Sequence, residues 1–194
     1  MNAGKSTLLL QCNYNYNKNN METLILSPQI DNRYGQSKIK SRIGLSADSI
    51  SFSSTQNLFD LINQHNELAE LYCVFVDEAQ FLTFEQVDQL TNICDDLNIP
   101  VITYGLRTDS NGNLFEGSMR LLAMADNLIE VKTICHAHKY GYACNNKATM
   151  VLRFDEQGNI ITDGPQIMIG DHEYVSVCRK HYKMMKLSGY INNL

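Results

Sequence analysis

No stretch of this sequence is apolar over the roughly 18 residues that a membrane-spanning helix needs. Its opening residues, MNAGKSTLLL, lack the basic start and cleavage site of a secretory leader. The cytoplasm is therefore the expected compartment, with no membrane partner. Lys and Arg number 16 against 21 Asp and Glu, and the formal net charge is -5. Nowhere do the basic residues cluster, which argues against the broad basic face that a nucleic-acid polymer requires. Internal repeats and low-complexity tracts are also absent. What remains is 44% hydrophobic and 19% charged over 194 residues, the composition of a globular protein with one domain and room for a small appendage.

Six cysteines are present, but in a cytoplasmic chain they do not read as a disulfide set. Cys73 lies in an apolar run and Cys94 in a helix-like stretch, so both are expected as buried thiols. Cys135, Cys144 and Cys178 lie near histidines and call for a different reading.

Apolar periodicity sets out the elements. A helix is expected from Ser6, a buried strand over 23–27, a loop over 31–55 and a helix over 56–70. The continuous apolar run 71–76 reads as a central parallel strand. A helix over 84–97 is stopped by Pro100, and 101–104 is the next strand. A glycine-studded loop spans 105–117, followed by a helix over 118–125 and a strand over 128–132. This alternation predicts an α/β core with a parallel sheet. From residue 134 onward Cys, His, Gly and short β-like runs (MVLRF, QIMIG, YVSVC) indicate a second domain, giving 1–133 and 134–194.

Three constellations carry chemistry. Gly4-Lys5-Ser6-Thr7 matches the second half of a phosphate-binding loop. Gly4 lets the backbone curl so that N–H groups face phosphate oxygens, Lys5 supplies a mobile positive charge, and Ser6 offers a hydroxyl to Mg2+. A helix opening here adds its positive dipole end. Such a loop ordinarily follows a buried strand, and no residue precedes Met1, so a truncated or misplaced start is expected. The second constellation is Asp77-Glu78, at the C-terminal end of the apolar strand, the edge where open α/β sheets bind ligands. Asp77 is placed for the Mg2+ shell, and Glu78 to accept a proton from an attacking hydroxyl or water. The third is the C-x-x-H pair Cys178 and His181, with Cys135 upstream. Cys144 is the favoured fourth zinc ligand, with His136 and His138 as alternatives, because C-x8-C is wider than the usual half-site. Four such ligands leave no open coordination position, so the zinc would be structural.

Taken together, MNAGKST, DNRY at 31–34, SRIGLS at 41–46, VDEAQFLT at 76–83, YGLRTD at 104–109, LFEGS at 114–118, VKTIC at 131–135 and YVSVCRKHYK at 174–183 resemble the zinc-containing, type II thymidine kinases, in their bacterial branch. The resemblance covers nearly the whole chain. It implies a P-loop (RecA-like) core with a mostly parallel sheet flanked by helices, plus a small zinc-binding, β-rich domain carrying a lasso loop. It implies phosphorylation of the 5′-hydroxyl of thymidine, and of deoxyuridine, by ATP with Mg2+ and a structural Zn2+. Glu78 would be the general base. Gly4, Lys5, Ser6, Thr7, Asp31, Arg33 and Asp77 would hold ATP and its metal. Met1, Phe81, Leu106 and Phe115 would line the nucleoside pocket. The lasso, about 157–177, would place Met168, Ile169, Gly170 and Tyr174 at the sugar and base. A homotetramer inhibited by dTTP is also implied. Ser110 stands where the family commonly has an aromatic, and HAHKYGYA is an insertion between Cys135 and Cys144. The competing readings are a degenerate kinase and another P-loop NTPase with a zinc-binding module.

Overall fold

The structure is a computed structural model. The residues it describes are 3–30, 37–167 and 173–188, without the side chains of Lys139, Tyr140 and Ser188. Two compact units divide the chain: Gly4–Arg107 with Glu116–Leu128, and Thr108–Phe115 with the described residues from Ile129 onward.

The first unit runs α1 (Lys5–Lys18), β1 (Thr23–Pro28), β2 (Lys38–Lys40), β3 (Ser46–Asp48), β4 (Ile50–Phe52), α2 (Leu58–Leu68), β5 (Cys73–Val76), α3 (Phe84–Leu97), β6 (Val101–Thr103) and α4 (Glu116–Met124). Four of the strands form a sheet of order β4-β1-β5-β6 in which every pairing is parallel. β5 is buried along its full length, as its unbroken apolar sequence requires of a central parallel strand. Side chains alternate across the sheet. Cys73 and Phe75 join Ile25, Leu9 and Leu10 in one core, against α1. Val74 and Val76 join Leu24, Leu26, Ile62, Leu90 and Ile93 in the other, against α2 and α3. The α/β core expected from the alternating pattern is present.

Local signals set the helix ends. Asn57 caps α2 by accepting from the Asp60 N–H. Thr83 and Gln86 form a reciprocal capping box at the start of α3, which ends on Asn98 in the left-handed conformation just before Pro100. Burial pushes the Cys73 thiol up to about 12, in keeping with a buried, unreactive cysteine. Cys94 is only half-buried.

Two sequence expectations differ from the structure. The region 31–55 contains the antiparallel pair β2 and β3 and the edge strand β4, where a loop was expected. Each of these strands has three residues, too few to show an alternation; β2 and β3 are held by pairing with each other, and β4 by pairing with β1. Conversely, 128–132 is not a strand. Leu128 is 64% and Ile129 87% exposed, and no sheet edge among the described residues pairs with them.

The second unit contains the antiparallel hairpin of β7 (Met150–Phe154) and β8 (Glu173–Val177), followed by α5 (Arg179–Ser188). It has its own core, built on Leu152, Phe154, Val175, Val177, Tyr182 and Met185. Asp109 anchors its 108–115 loop, accepting from the N–H groups of Asn111 and Asn113. The Tyr182 hydroxyl donates to the Ser110 carbonyl (3.0 Å), and Lys186 Nζ to Asn111 Oδ1 (2.7 Å). Among the described residues, no helix is long and apolar enough to cross a membrane.

Candidate active site and metal centre

Gly4 caps α1 with φ 85° and ψ 20°, a left-handed conformation that glycine adopts at little cost. No side chain caps this helix end, so the first-turn N–H groups and the helix dipole face outward as an anion site. Lys5, Ser6 and Thr7 follow in that turn, all half-buried. Ser6 Oγ donates to Asp77 Oδ2 at 3.1 Å, across 71 residues of sequence. The lysine loop and the tip of β5 therefore meet at one edge of the sheet.

Asp77 is buried, and its second oxygen, Oδ1, has no hydrogen-bond partner among the described residues. Burial pushes its carboxyl up to about 6, and the neighbouring Glu78 adds to the rise. The Glu78 N–H, Ser6 and the Lys5 charge oppose it. A buried carboxylate oxygen without a partner, beside a serine hydroxyl, is the all-oxygen donor set that a hard divalent cation takes. The residues thus fit Mg2+.

Glu78 has φ 47° and ψ 41°, an uncommon backbone conformation for a non-glycine residue. It turns the chain out of β5 into the 3-10 turn Ala79–Phe81. Gln80 Nε2 donates to Glu78 Oε2 at 2.6 Å, and Gln80 Oε1 accepts from the Leu106 N–H at 2.9 Å. Ser118 Oγ in α4 donates to the Leu106 carbonyl at 2.5 Å. Gln80 was not singled out in the sequence reading. Its signal was a polar residue two positions past the acidic pair, between alanine and phenylalanine, in a segment that is buried.

Of the residues expected around the nucleoside, Phe81 and Leu106 lie half-buried in the first unit. Phe115 and Tyr174 lie in the second, Phe115 buried and Tyr174 half-buried on β8. Met1, Asp31, Arg33, Met168, Ile169 and Gly170 lie outside the described residues. Ser110 is buried, with the aromatic Tyr182 brought to its carbonyl.

In the second unit, the ligand atoms of Cys135, Cys144, Cys178 and His181 all lie within 4.8 Å of one another. His181 Nδ1 is 3.4 Å from both Cys135 Sγ and Cys178 Sγ, and Cys144 Sγ is 4.0 Å from Cys178 Sγ. A tetrahedron with Zn–S bonds of about 2.3 Å has edges near ~3.8 Å, so the donor set fits zinc. The wide C-x8-C spacing closes because Ile134 bridges Lys147 and the Cys135 N–H donates to the Asn146 carbonyl at 2.8 Å. The insertion loops out through the 3-10 turn Ala137–Tyr140. His136 and His138 pack against each other, with ring centroids 5.8 Å apart, and are not among the converging ligands. A Cys3His cluster of this kind, with Cys135, Cys178 and His181 buried and Cys144 half-buried, is consistent with structural zinc.

The family model of thymidine kinase matches residues 1–182. The chain belongs to the thymidine kinase family. The thymidine kinase of Rhodopirellula baltica is 57% identical over 184 residues, which is 94% of this chain and 84% of that protein. The thymidine kinase of Aliivibrio fischeri is 54% identical, covering 94% of this chain and 92% of its own. That of Haemophilus influenzae is 53% identical with the same coverage. The kinase family's bacterial members are thus similar to this chain along nearly its whole length.

Proposed function

We propose that this chain transfers the γ-phosphoryl group of ATP to the 5′-hydroxyl of thymidine, and of deoxyuridine, to give the monophosphate. The observation that carries the reading is the Ser6–Asp77 hydrogen bond, which sets a phosphate loop beside a strand tip bearing two carboxylates. Phosphoryl transfer asks a protein chiefly for positioning and charge neutralisation. The N–H groups of the α1 first turn and Lys5 hold the phosphates, with Gly4 and Thr7 shaping the turn and Asp31 and Arg33 completing it. Ser6 and Asp77 hold Mg2+, which supplies positive charge to the β- and γ-phosphates when bound. Glu78 accepts the proton of the 5′-hydroxyl, and Gln80 fixes the carboxylate's orientation.

Met1, Phe81, Leu106, Phe115, Met168, Ile169, Gly170 and Tyr174 form the nucleoside pocket in this proposal. Residues 1–133 carry the nucleotide chemistry and 134–194 the lasso. Zinc on Cys135, Cys144, Cys178 and His181 is structural. The enzyme works in the cytoplasm as a homotetramer inhibited by dTTP.

Incubation with radiolabelled ATP and thymidine tests the reading. Labelled thymidine monophosphate should form, and Glu78→Gln should lower kcat by about 10²–10⁴-fold. ATP hydrolysis stimulated by DNA, with no nucleoside labelled, would instead mark a different P-loop NTPase.

A further inference from the structure

Arg153 lies in the middle of β7, 1% exposed, and is the largest of the fully buried side chains. Burying a guanidinium is unfavourable unless its donors are engaged, and an apolar side chain would fill a strand at lower cost. Among the described residues, no carboxylate pairs with it. Its partners are main-chain carbonyls. Nη2 donates to Asp163 O at 3.0 Å and Nη1 to Pro165 O at 3.4 Å, while Nε is buried without a partner among the described residues.

The surrounding backbone shows what those carbonyls belong to. After β7 the chain makes a tight turn in which Asp155 accepts from the Gln157 and Asn159 N–H groups. It then returns along the strand, with Phe154 bridging Ile160 and the Ile161 N–H donating to the Arg153 carbonyl at 2.9 Å. The segment 163–165 lies over the Arg153 guanidinium, two residues before Ile167 and the stretch 168–170. In the hairpin register Arg153 stands directly opposite Tyr174, so both side chains leave the same face. The next residue along the segment has a second tie, since Gln166 Nε2 donates to Asp109 Oδ2 (3.0 Å) and to Leu114 O (3.1 Å).

We propose that Arg153 is a positioning residue for nucleoside binding, its guanidinium holding the carbonyls of Asp163 and Pro165 so that the segment 161–167 keeps one fixed geometry on the strand face that Tyr174 shares. The inference rests on the functional reading above, in which that loop holds the nucleoside. The planar fork of arginine spans two carbonyls at once, whereas a lysine offers one compact charge. Because both acceptors belong to the main chain, the grip does not depend on the side chains of 163 and 165. Pre-ordering the loop in this way removes an entropic cost that thymidine binding would otherwise carry.

Two measurements on the zinc-loaded protein test this: amide hydrogen exchange across 155–167 without nucleoside, and steady-state kinetics of Arg153→Met and Arg153→Lys. Arg153→Met should speed exchange across 161–167 and raise KM for thymidine by about tenfold or more. KM for ATP and zinc content should stay at wild-type values. Arg153→Lys should recover part of the thymidine KM. Unchanged exchange in Arg153→Met overturns the proposal whatever the kinetics. So does faster exchange with an unaltered thymidine KM. A parallel rise in both KM values, or loss of zinc, marks a general packing role and also overturns it. If Arg153→Met does not fold, the Arg153→Lys exchange and KM split decide on the same terms. The wild-type control keeps the two claims apart: failure to phosphorylate thymidine there sinks the functional reading, while the exchange result still reports whether Arg153 holds the loop.

Discussion

Asp77 has one oxygen on Ser6 and the other buried without a partner, next to a second carboxylate. Burial raises its pKa from 3.8 to about 6, so the folded chain binds a proton there more tightly than the unfolded chain does. Between those two values the native state carries the extra proton. The stabilisation is therefore complete below the unfolded value and is lost as pH rises through about 6. Above that pH, ionised Asp77 is a standing cost in the absence of a bound cation. Asp77→Asn should accordingly make the magnesium-free protein more stable at about pH 8, by about 1–2 kcal/mol, and give no such gain at about pH 4. Urea melts at the two pH values check this. Equal stability differences at both would show that the carboxylate is not destabilised in the fold. The same variant should lose most of its kinase activity, a trade expected where a site holds a strained charge for function. Glu78 shows the same logic, combining an uncommon backbone conformation with a carboxylate held by the Gln80 amide.

At the scale of elements, α4 is set against the turn that follows β5, and the closest approach is at Gly117. A Cβ built there would lie 2.6 Å from the Leu82 carbonyl oxygen and 2.7 Å from that of Ala79, both fixed main-chain atoms. Gly117→Ala should force α4 outward, destabilise the protein by about 1–3 kcal/mol and disturb the Ser118–Leu106 bond. Thermal melts and the thymidine KM check it, and a wild-type melting temperature would mean that α4 can shift freely.

Contacts of this kind separate what the sequence revealed from what it hid. The buried strand β5, the capped helix α3 and the lysine loop each carry their own local signal, and each was legible. β2, β3 and β4 are three residues long, too short for an alternation to show, and β4 is held by pairing with β1, so no local pattern announced them. Residues 128–132 show the reverse: a strand-like run for which the described residues offer no sheet edge. The convergence of Cys144, rather than His136 or His138, on Cys135, Cys178 and His181 goes with the pairing of 134 with 147, which spacing alone does not show. Gln80 and Arg153 were hidden for a related reason, since their importance lies in carbonyls and amides that sequence does not place.

For the whole molecule, the two units differ in what holds them. The first has a four-stranded sheet with apolar cores on both faces. Among its described residues the second has a two-stranded hairpin, the helix α5 and a core that includes Cys135 and Cys178 themselves. A lone hairpin is marginal in water, and a core this small ordinarily needs a staple. Zinc on Cys135, Cys144, Cys178 and His181 would supply one, because its binding free energy is about 10 kcal/mol or more in small zinc domains and adds to folding. Removing the metal should then unfold the second unit while the first retains its structure. The check is limited proteolysis of chelator-treated protein, with Cys178→Ser as the genetic counterpart. Cleavage should concentrate beyond residue 129, residues 4–107 should remain protected, and ATP should still bind while thymidine binding is lost. Because Thr108–Phe115 groups with the second unit, protease sites in that loop should open together with those beyond residue 129. If zinc-free protein keeps both regions protected, the second core stands without the metal. If instead both are cut at equal rates, the first unit does not fold independently of the second.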